Sequence, residues 1–315
     1  MPDGLSERLR AATERLIGRT VAADERIGIA VSGGPDSMAL LASAQTAWPG
    51  QVEAATVDHG LRADARAEAE MVARWCVKHG VPHRILTIEG GLAGNLQAAA
   101  RSARYQLLDA WRLERGLAWL MTGHQADDQI ETILLRLNRG AGVGGLASVR
   151  ARRGRLLRPL LGERRATLRA YCASHGVPFV DDPSNGDDRF DRVRLRQALA
   201  GSDLVDPVGL ARSVVALADA DRALAWMTDR IATESLTIDS GVARLATNDL
   251  PPEILRRLLE RMIAAINPEA EKPRGPSLDQ ALVQLLAGKT VSLADCTVQG
   301  GAVWTVRRAP PRKLR

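Results

Sequence analysis

Ser32-Gly33-Gly34-Pro35-Asp36-Ser37 decides the fold, because it joins a short apolar run to a helix-forming run. Residues 26–31 predict a buried β-strand, and residues 37–47 predict the helix that follows it. Paired glycines allow a tight turn with positive φ and a close approach of the backbone to a ligand. The start of a helix offers unpaired N–H groups and a positive dipole end, which suit an anion. The stretch therefore predicts a phosphate-binding loop at the end of a strand.

The side chains of this loop add polar groups to the backbone donors. Ser32 and Ser37 supply hydroxyl donors, and Asp36 can hold Mg²⁺ or orient a phosphate. The alternative interpretation is a plain strand-to-helix turn with a capping serine.

Two other glycine motifs do not predict phosphate sites. Gly288-Lys289-Thr290 has Val283 where the motif G-x-x-x-x-G-K-[ST] requires glycine. Gly140, Gly142 and Gly145 match G-x-G-x-x-G, but they follow a predicted helix rather than a strand.

The chain around the loop alternates between strands and helices. Further strands are predicted at 52–57, 83–88 and 117–122, and helices at 5–19, 62–79, 95–115 and 125–138. Strands alternating with helices of ten or more residues indicate a parallel sheet with helices on both faces. The fold class is therefore α/β. Because the loops at 32–37, 58–62 and 123–128 all follow strands, we expect them to meet in one crevice.

The pattern changes after the fourth predicted strand. Residues 139–162 are rich in glycine and arginine, and a helix is predicted at 164–175. From about residue 205 the chain reads as helical, with helices at 207–236, 252–266 and 277–287, and short β segments follow at 290–308. We therefore predict a nucleotide-binding domain at 1–203, a helical region at 204–270 and a small C-terminal α+β domain at 271–315.

Composition sets limits on partners and location. The net charge is +6 and comes mostly from arginine, which suits a polyanion such as nucleic acid; a GC-rich genome is the alternative explanation. The three cysteines stand far apart, which argues against a zinc ribbon, an iron–sulfur cluster or a disulfide framework. The sequence shows no signal peptide and no run approaching 18 apolar residues, so we expect a cytoplasmic enzyme.

A polar stripe runs along the helix predicted at 125–138. His124, Asp128 and Glu131 are spaced at i, i+4 and i+7, which places them on one face, and Asp127 is expected to point toward the loop or a metal. The stripe can bind a cation through its two carboxylates, hold a transition metal, or form a solvated polar face.

The chain resembles a known family through several motifs. Val31 through Ser37 resembles the S-G-G-x-D-S loop of the PP-loop pyrophosphatases, which cleave ATP to AMP and pyrophosphate. The other matching segments are Asp58-His59-Gly60-Leu61-Arg62, Arg101-Ser102-Ala103-Arg104-Tyr105 and Gly123-His124-Gln125-Ala126-Asp127-Asp128-Gln129-Ile130-Glu131-Thr132. Together they resemble the tRNA(Ile)-lysidine synthetase family over residues 24 to about 200, and the tail resembles its C-terminal domain more weakly.

The resemblance implies a reaction and its partners. ATP, with Mg²⁺, activates C2 of the wobble cytidine in an isoleucine tRNA with a CAU anticodon, and free L-lysine then displaces AMP. The product tRNA changes from methionine to isoleucine specificity. No membrane partner is expected, and a homodimer is compatible with the family.

The resemblance also implies roles for individual residues. The catalytic residues are Asp36, Arg104, Asp128 and Arg196. ATP binds at Ser32, Gly33, Gly34, Pro35, Asp36, Ser37 and His59, although His59 can equally be a loop histidine with a structural bond. Lysine binds at Asp128 and Glu131, with Asp128 as the base. The tRNA-binding residues are Arg150, Arg152, Arg153, Arg155 and Arg158, for which a solvated charged face is the alternative.

One position departs from the family pattern. Arg192-Val193-Arg194-Leu195-Arg196 carries Val193 where the family has asparagine in R-N-R-[IL]-R. The three arginines are retained, but a contact made by the asparagine side chain cannot be transferred to this chain.

Two rival functions make different demands on the sequence. A PP-loop tRNA thiolase should carry a catalytic cysteine near the loop, and the sequence has none there. An ATP-responsive RNA-binding protein without catalytic activity would keep the basic surface but would not need Asp128 and Glu131.

Overall fold

The computed structural model describes residues 4–58, 64–88, 96–147, 149–181, 191–199, 205–247, 249–273 and 275–310. The chain forms two compact units: residues 1–140 with 147–215, and residues 141–146 with 216–315. The predicted ATP-binding residue His59 lies outside the described residues.

The described residues form helices and strands with the following bounds. The helices are α1 Gly4–Ile17, α2 Pro35–Ala47, α3 Asp64–Lys78, α4 Leu96–Glu114, α5 Ala126–Asn138, α6 Val143–Leu146, α7 Arg165–Ser174, α8 Asp191–Leu199, α9 Pro207–Ser235, α10 Pro252–Ile266 and α11 Gly275–Leu286. The strands are β1 Ile27–Ala30, β2 Val52–Asp58, β3 His83–Thr87, β4 Trp119–Thr122, β5 Arg152–Arg153, β6 Leu156–Leu157, β7 Leu236–Asp239, β8 Val242–Ala246, β9 Thr290–Leu293, β10 Cys296–Gln299 and β11 Val303–Arg308.

The first unit is built on a six-stranded sheet in the order β3-β2-β1-β4-β6-β5. The pairs along β3-β2-β1-β4-β6 are parallel, and the edge strand β5 runs antiparallel to β6. Parallel neighbours place their carboxyl ends at one edge, so the residues after β1 and β4 share that edge. The predicted α/β fold with a mainly parallel sheet is confirmed.

The central strand β1 is buried on both faces, which explains its short apolar sequence. Ile27 and Ile29 pack into a core with α1, α2 and α3, whereas Ala30 packs into a second core with Leu108 and Trp111 of α4. A Cβ on Gly28 would lie 2.7 Å from the Trp111 ring. Glycine at this position therefore lets the bulky Trp111 pack against the strand.

The second unit is built on a five-stranded sheet in the order β7-β8-β11-β10-β9, with antiparallel pairs throughout. Its core joins α10 and α11 to the sheet around the fully buried Trp304. The sequence predicted the β segments of the tail but read 205–287 as helical, and this was wrong for the hairpin β7–β8. Because this hairpin pairs with β11, residues from the predicted regions 204–270 and 271–315 share one core. The three-part domain division stays a prediction.

Among the described residues, no helix is both long and apolar enough to span a bilayer.

Candidate active site

The loop after β1 is held in shape by its own serines. Gly33 has a φ of +86°, and Gly34 is the extended residue immediately before α2, which begins at Pro35. The Ser32 N–H donates to Ser37 Oγ at 3.1 Å, and the Ser37 hydroxyl donates to the Gly34 carbonyl at 3.0 Å. The hydroxyl of Ser37 therefore closes the loop, and the hydroxyl of the exposed Ser32 lies 3.2 Å from it.

The turn after β4 lies directly against this loop. A Cβ on Gly123 would be 2.9 Å from the carbonyl carbon and oxygen of Asp36 and 3.0 Å from Ser37 Cα. These neighbours are backbone atoms, which cannot move aside by a change of rotamer. Glycine at position 123 therefore allows the phosphate loop and the start of α5 to approach each other closely.

We expect Gly123→Ala to destabilise the protein by about 1–3 kcal/mol, because the added methyl forces two backbone segments apart. Denaturant unfolding measures this change. Gly142→Ala is the matched control, since a Cβ there meets nothing within 4 Å and its φ is not positive. Equal stability of the two variants would contradict the close approach.

Asp36 is a partly buried carboxylate at the first turn of α2. Its Oδ1 accepts no hydrogen bond of normal geometry from the described residues. Burial, together with the nearby Asp128 carboxylate, raises the pKa of Asp36 to about 6, although Arg165 and Gln125 oppose the rise. A carboxylate oxygen left without a partner in a buried place suits a cation ligand or a proton acceptor.

The two carboxylates predicted to bind a cation converge with Asp36 on one guanidinium. Arg165 Nη2 lies 3.2 Å from Asp128 Oδ1 and 3.2 Å from Glu131 Oε1, and Arg165 Nε lies 3.9 Å from Asp36 Oδ2. Glu131 is only 3% exposed and also accepts from Arg196 Nε at 3.0 Å. The structure thus brings together Asp36, Asp128, Glu131 and Arg196 as the sequence analysis expected.

Arg165 is the principal residue that the sequence analysis missed. It begins α7, and Arg164 immediately precedes that helix. Arginines at a helix N-terminus face an unfavourable dipole, so acidic partners from elsewhere in the fold should have been expected there. That signal was available in the sequence.

Asp127 has a different place from the one expected. Its Oδ2 accepts from the Arg165 backbone N–H at 2.8 Å, and its Oδ1 lies 2.7 Å from Arg164 Nη2. The carboxylate thus caps α7 and joins it to α5 instead of pointing toward the loop or a metal.

Asp128 makes a structural hydrogen bond at the start of α5 and also has the raised pKa that suits a base. Its Oδ2 accepts from the Gln125 backbone N–H at 3.2 Å as part of the capping box of α5. Burial raises the pKa of Asp128, while the Gln125 N–H and Arg165 oppose the rise. A carboxylate with a raised pKa is a stronger base than an exposed one.

His124 is held as a neutral imidazole. Burial, followed by the charges of neighbouring arginines, lowers the pKa of His124 to about 3; those arginines are Arg158, Arg101, Arg104 and Arg192. Its Nδ1 lies 2.9 Å from Thr122 Oγ1. Within the described part of the chain, no group of three His, Cys, Asp or Glu side chains is arranged to hold a metal, so the transition-metal reading of this stripe gains no support.

The predicted tRNA-binding arginines do not form one patch. Arg152 and Arg155 lie over the ring of Trp119, at 5.1 and 4.9 Å from its centroid, at the amino end of β4. Arg158 is 8% exposed and donates to the Arg150 carbonyl at 2.7 Å, near His124. Arg153 is exposed on β5. Only Arg150 and Arg158 therefore lie toward the edge that carries the phosphate loop.

Val193, which stands where the family has asparagine, has a packing role in the structure. Val193 is buried on α8, which packs against α5. Its neighbour Arg192 lies 3.3 Å from Thr132 Oγ1 on α5, and Arg196 reaches Glu131 from the same helix. The valine thus anchors the helix that positions these arginines.

A cysteine lies beside the loop, but it is not the catalytic cysteine that a thiolase would need. Cys172 of α7 donates through Sγ to the Pro35 carbonyl at 3.4 Å. It is fully buried, and burial raises the pKa of its thiol to about 11. The thiol is therefore protonated at neutral pH and is a poor nucleophile.

Comparisons with known proteins identify relatives for most of the chain. The PP-loop domain family matches residues 5–202. A tRNA(Ile)-lysidine synthase from Zymomonas mobilis is 42% identical over 91% of this chain and 90% of its own length. One from Novosphingobium aromaticivorans is also 42% identical, with the same coverage of both chains.

A solved structure supports the fold. The U34-tRNA thiolase NcsA from Methanococcus maripaludis, solved with its [4Fe-4S] cluster, matches with a TM-score of 0.57 at 15% identity. The match covers 68% of this chain and 80% of that one. At this identity the likeness concerns the fold alone.

Proposed function

The chain belongs to the PP-loop family of tRNA(Ile)-lysidine synthases, and we propose that it ligates lysine to C2 of the wobble cytidine in an isoleucine tRNA with a CAU anticodon. It is an ATP-using ligase that acts on tRNA. The cytoplasmic location and the homodimer expected from the sequence remain predictions.

One observation carries this proposal: the phosphate loop and the paired carboxylates Asp128 and Glu131 meet at one edge of the sheet. Arg165 spans the distance from Asp36 beside the loop to both carboxylates. A ligase of this kind needs a nucleotide and a cationic amine side by side, because the amine attacks the carbon that ATP has activated.

In the first step, O2 of the cytidine attacks the α-phosphorus of ATP, and pyrophosphate leaves with the electron pair of the broken P–O bond. The backbone of Gly33 and Gly34 and the start of α2 would bind the phosphates. Asp36, whose Oδ1 accepts no hydrogen bond of normal geometry from the described residues, would hold Mg²⁺, which would neutralise phosphate charge there. Arg104 is the proposed cation that stabilises charge on the α-phosphate.

In the second step, the side-chain amine of lysine attacks C2, and the C2–O2 bond breaks so that AMP leaves with the oxygen. A lysine ammonium has an ordinary pKa of about 10.4, so it must lose a proton before it attacks. Glu131 would bind the cation and Asp128 would accept the proton, since burial raises the pKa of Asp128. Arg196 would hold Glu131 in place.

We expect tRNA affinity to fall steeply with salt, because arginines would bind the tRNA mainly through phosphates. If Arg150, Arg152, Arg153 and Arg155 each contact one phosphate, raising salt from about 50 to about 200 mM should weaken binding by roughly 10²-fold. Filter binding at several salt concentrations measures the slope.

Arg153→Ala should make the salt dependence of tRNA binding less steep, by the amount that one phosphate contact contributes to the slope. Arg84→Ala is the control, because Arg84 is paired with Glu114 at the start of β3. A flat salt response would contradict binding through phosphates.

The proposed function is tested by a change of aminoacylation. An isoleucine tRNA transcript with a CAU anticodon, treated with the protein, ATP and lysine, should lose methionine acceptance and gain isoleucine acceptance. Unchanged acceptance of both amino acids, with the protein folded, would refute the proposal.

A further inference from the structure

Arg165 occupies the place that the proposed function assigns to the lysine ammonium. Its Nη2 is 3.2 Å from Asp128 Oδ1 and 3.2 Å from Glu131 Oε1, so a single cationic nitrogen bridges the two carboxylates. An ammonium bound by this pair would need the same position. A side chain of the protein itself therefore fills the proposed lysine site.

The charges at the site lead to the same conclusion. Asp128 and Glu131 supply two negative charges, and Arg165 and Arg196 supply two positive ones in direct contact with them. A further cation entering between Asp128 and Glu131 would meet repulsion from both guanidinium groups, because the charges of these two carboxylates are already compensated. Lysine can bind well only if one guanidinium moves away.

Arg165 is better placed to move than Arg196. The backbone of Arg165 is fixed, because its N–H donates to Asp127 at the start of α7. Its Nε already lies 3.9 Å from Asp36 Oδ2, beside the phosphate loop. A change of rotamer alone can therefore carry the guanidinium from the carboxylates toward that loop.

We propose that Arg165 is a positioning residue that fills the lysine site until ATP binds and then moves onto the phosphates, which opens the site for lysine. Guanidinium groups bind phosphate through parallel hydrogen bonds, so bound nucleotide offers an attractive alternative partner. The inference rests on the proposed use of lysine at Asp128 and Glu131. It adds an order of binding, in which ATP binds before lysine.

The proposal requires that the two ligands bind with positive coupling. If ATP removes the competing cation, it must raise the affinity for lysine, and lysine must raise the affinity for ATP by the same factor. Without Arg165 there is no internal competitor, so the coupling should vanish.

Calorimetric titration of L-lysine into the full-length protein, with and without α,β-methylene-ATP and Mg²⁺, tests this coupling. For the natural protein, the nucleotide analogue should tighten lysine binding by about tenfold or more. Arg165→Gln should bind lysine about tenfold more tightly than the natural protein without nucleotide, and the analogue should have no effect on it.

Two further variants test whether the cation at position 165 causes the nucleotide dependence. Arg165→Lys keeps a cation in the site and should retain the nucleotide dependence. Arg164→Gln removes the neighbouring arginine, whose ion pair is with Asp127, and should behave as the natural protein does. Lysine affinity that is independent of nucleotide in the natural protein, or weaker in Arg165→Gln, would overturn the proposal.

Steady-state kinetics distinguish competition from a structural role. Removing a competitor should lower the KM for lysine in Arg165→Gln, while kcat also falls because the phosphates lose a cation. A purely structural role would raise the KM instead and would contradict the proposal. If lysine is incorporated normally but its binding is uncoupled from nucleotide, the inference fails alone; if no lysine is incorporated, the proposed function fails.

Discussion

Asp36→Asn is expected to lower tRNA-dependent ATP–pyrophosphate exchange by about a thousandfold, because it removes the proposed Mg²⁺ ligand where charge develops on the phosphates. Asparagine has nearly the same shape as aspartate, so the loop geometry set by Ser32 and Ser37 should persist. Exchange is measured with labelled pyrophosphate and no lysine, which isolates the first step.

The same variant should not lose stability, which separates a chemical defect from misfolding. The folded-state pKa of Asp36 is about 6, above the unfolded value of about 3.9, so the folded state binds more protons between these values. Asp36 thus destabilises the fold as pH rises through this window. At neutral pH Asp36→Asn should melt about 2–4 °C higher than the natural protein.

The exposed Asp24→Asn is the matched control for Asp36→Asn, since it makes the same chemical change outside the site. It should keep full exchange activity. Near-normal exchange by Asp36→Asn would contradict the role assigned to Asp36.

Glu131→Gln is expected to raise the KM for lysine by about 10–100-fold, because it removes the charge from one of two carboxylates that bind the ammonium. Pyrophosphate exchange should change by no more than about threefold, since lysine takes no part in that step. Lysine-dependent release of AMP at several lysine concentrations measures the effect.

Glu53→Gln is a closely matched control for this change. Glu53 is also buried and also pairs with two arginines, Arg26 and Arg115, but it lies near the amino end of β2. Both variants lose the charge of a buried ion pair, so any general loss of stability should appear in both. A raised lysine KM in both variants would remove Glu131 from the lysine site.

The first unit could be read from the sequence because its signals are local. The short apolar β1, the glycines after it and the amphipathic helices each follow from patterns of a few residues, and α1–α5 and β1–β4 lie within a few residues of their predicted bounds. The hairpin β7–β8 gave no comparable signal. Its strands have exposed faces and are stabilised by pairing with β11, some sixty residues later, which no local pattern contains.

The sequence predicted those residues of the site that follow strands of the parallel sheet, but not those that lie on α7. Asp36, Asp128 and Glu131 stand directly after β1 and β4, so the topology of a parallel sheet was enough to bring them together. Arg165 reaches them from α7, and Cys172 reaches Pro35 from the same helix, more than 130 positions along the chain. The arginine at the start of α7 indicates only that acidic partners are needed; which carboxylates supply them, and where Cys172 lies, depend on how this later helix packs.

The most direct test of the central claim is the incorporation of labelled lysine into tRNA. The protein is incubated with ATP, radiolabelled L-lysine and total tRNA, and the tRNAs are separated and digested to nucleosides. We predict that label appears in an isoleucine tRNA, on the wobble nucleoside, only when ATP is present. Absence of label from isoleucine tRNA, or modification of tRNA that requires a sulfur donor instead of lysine, would contradict the account.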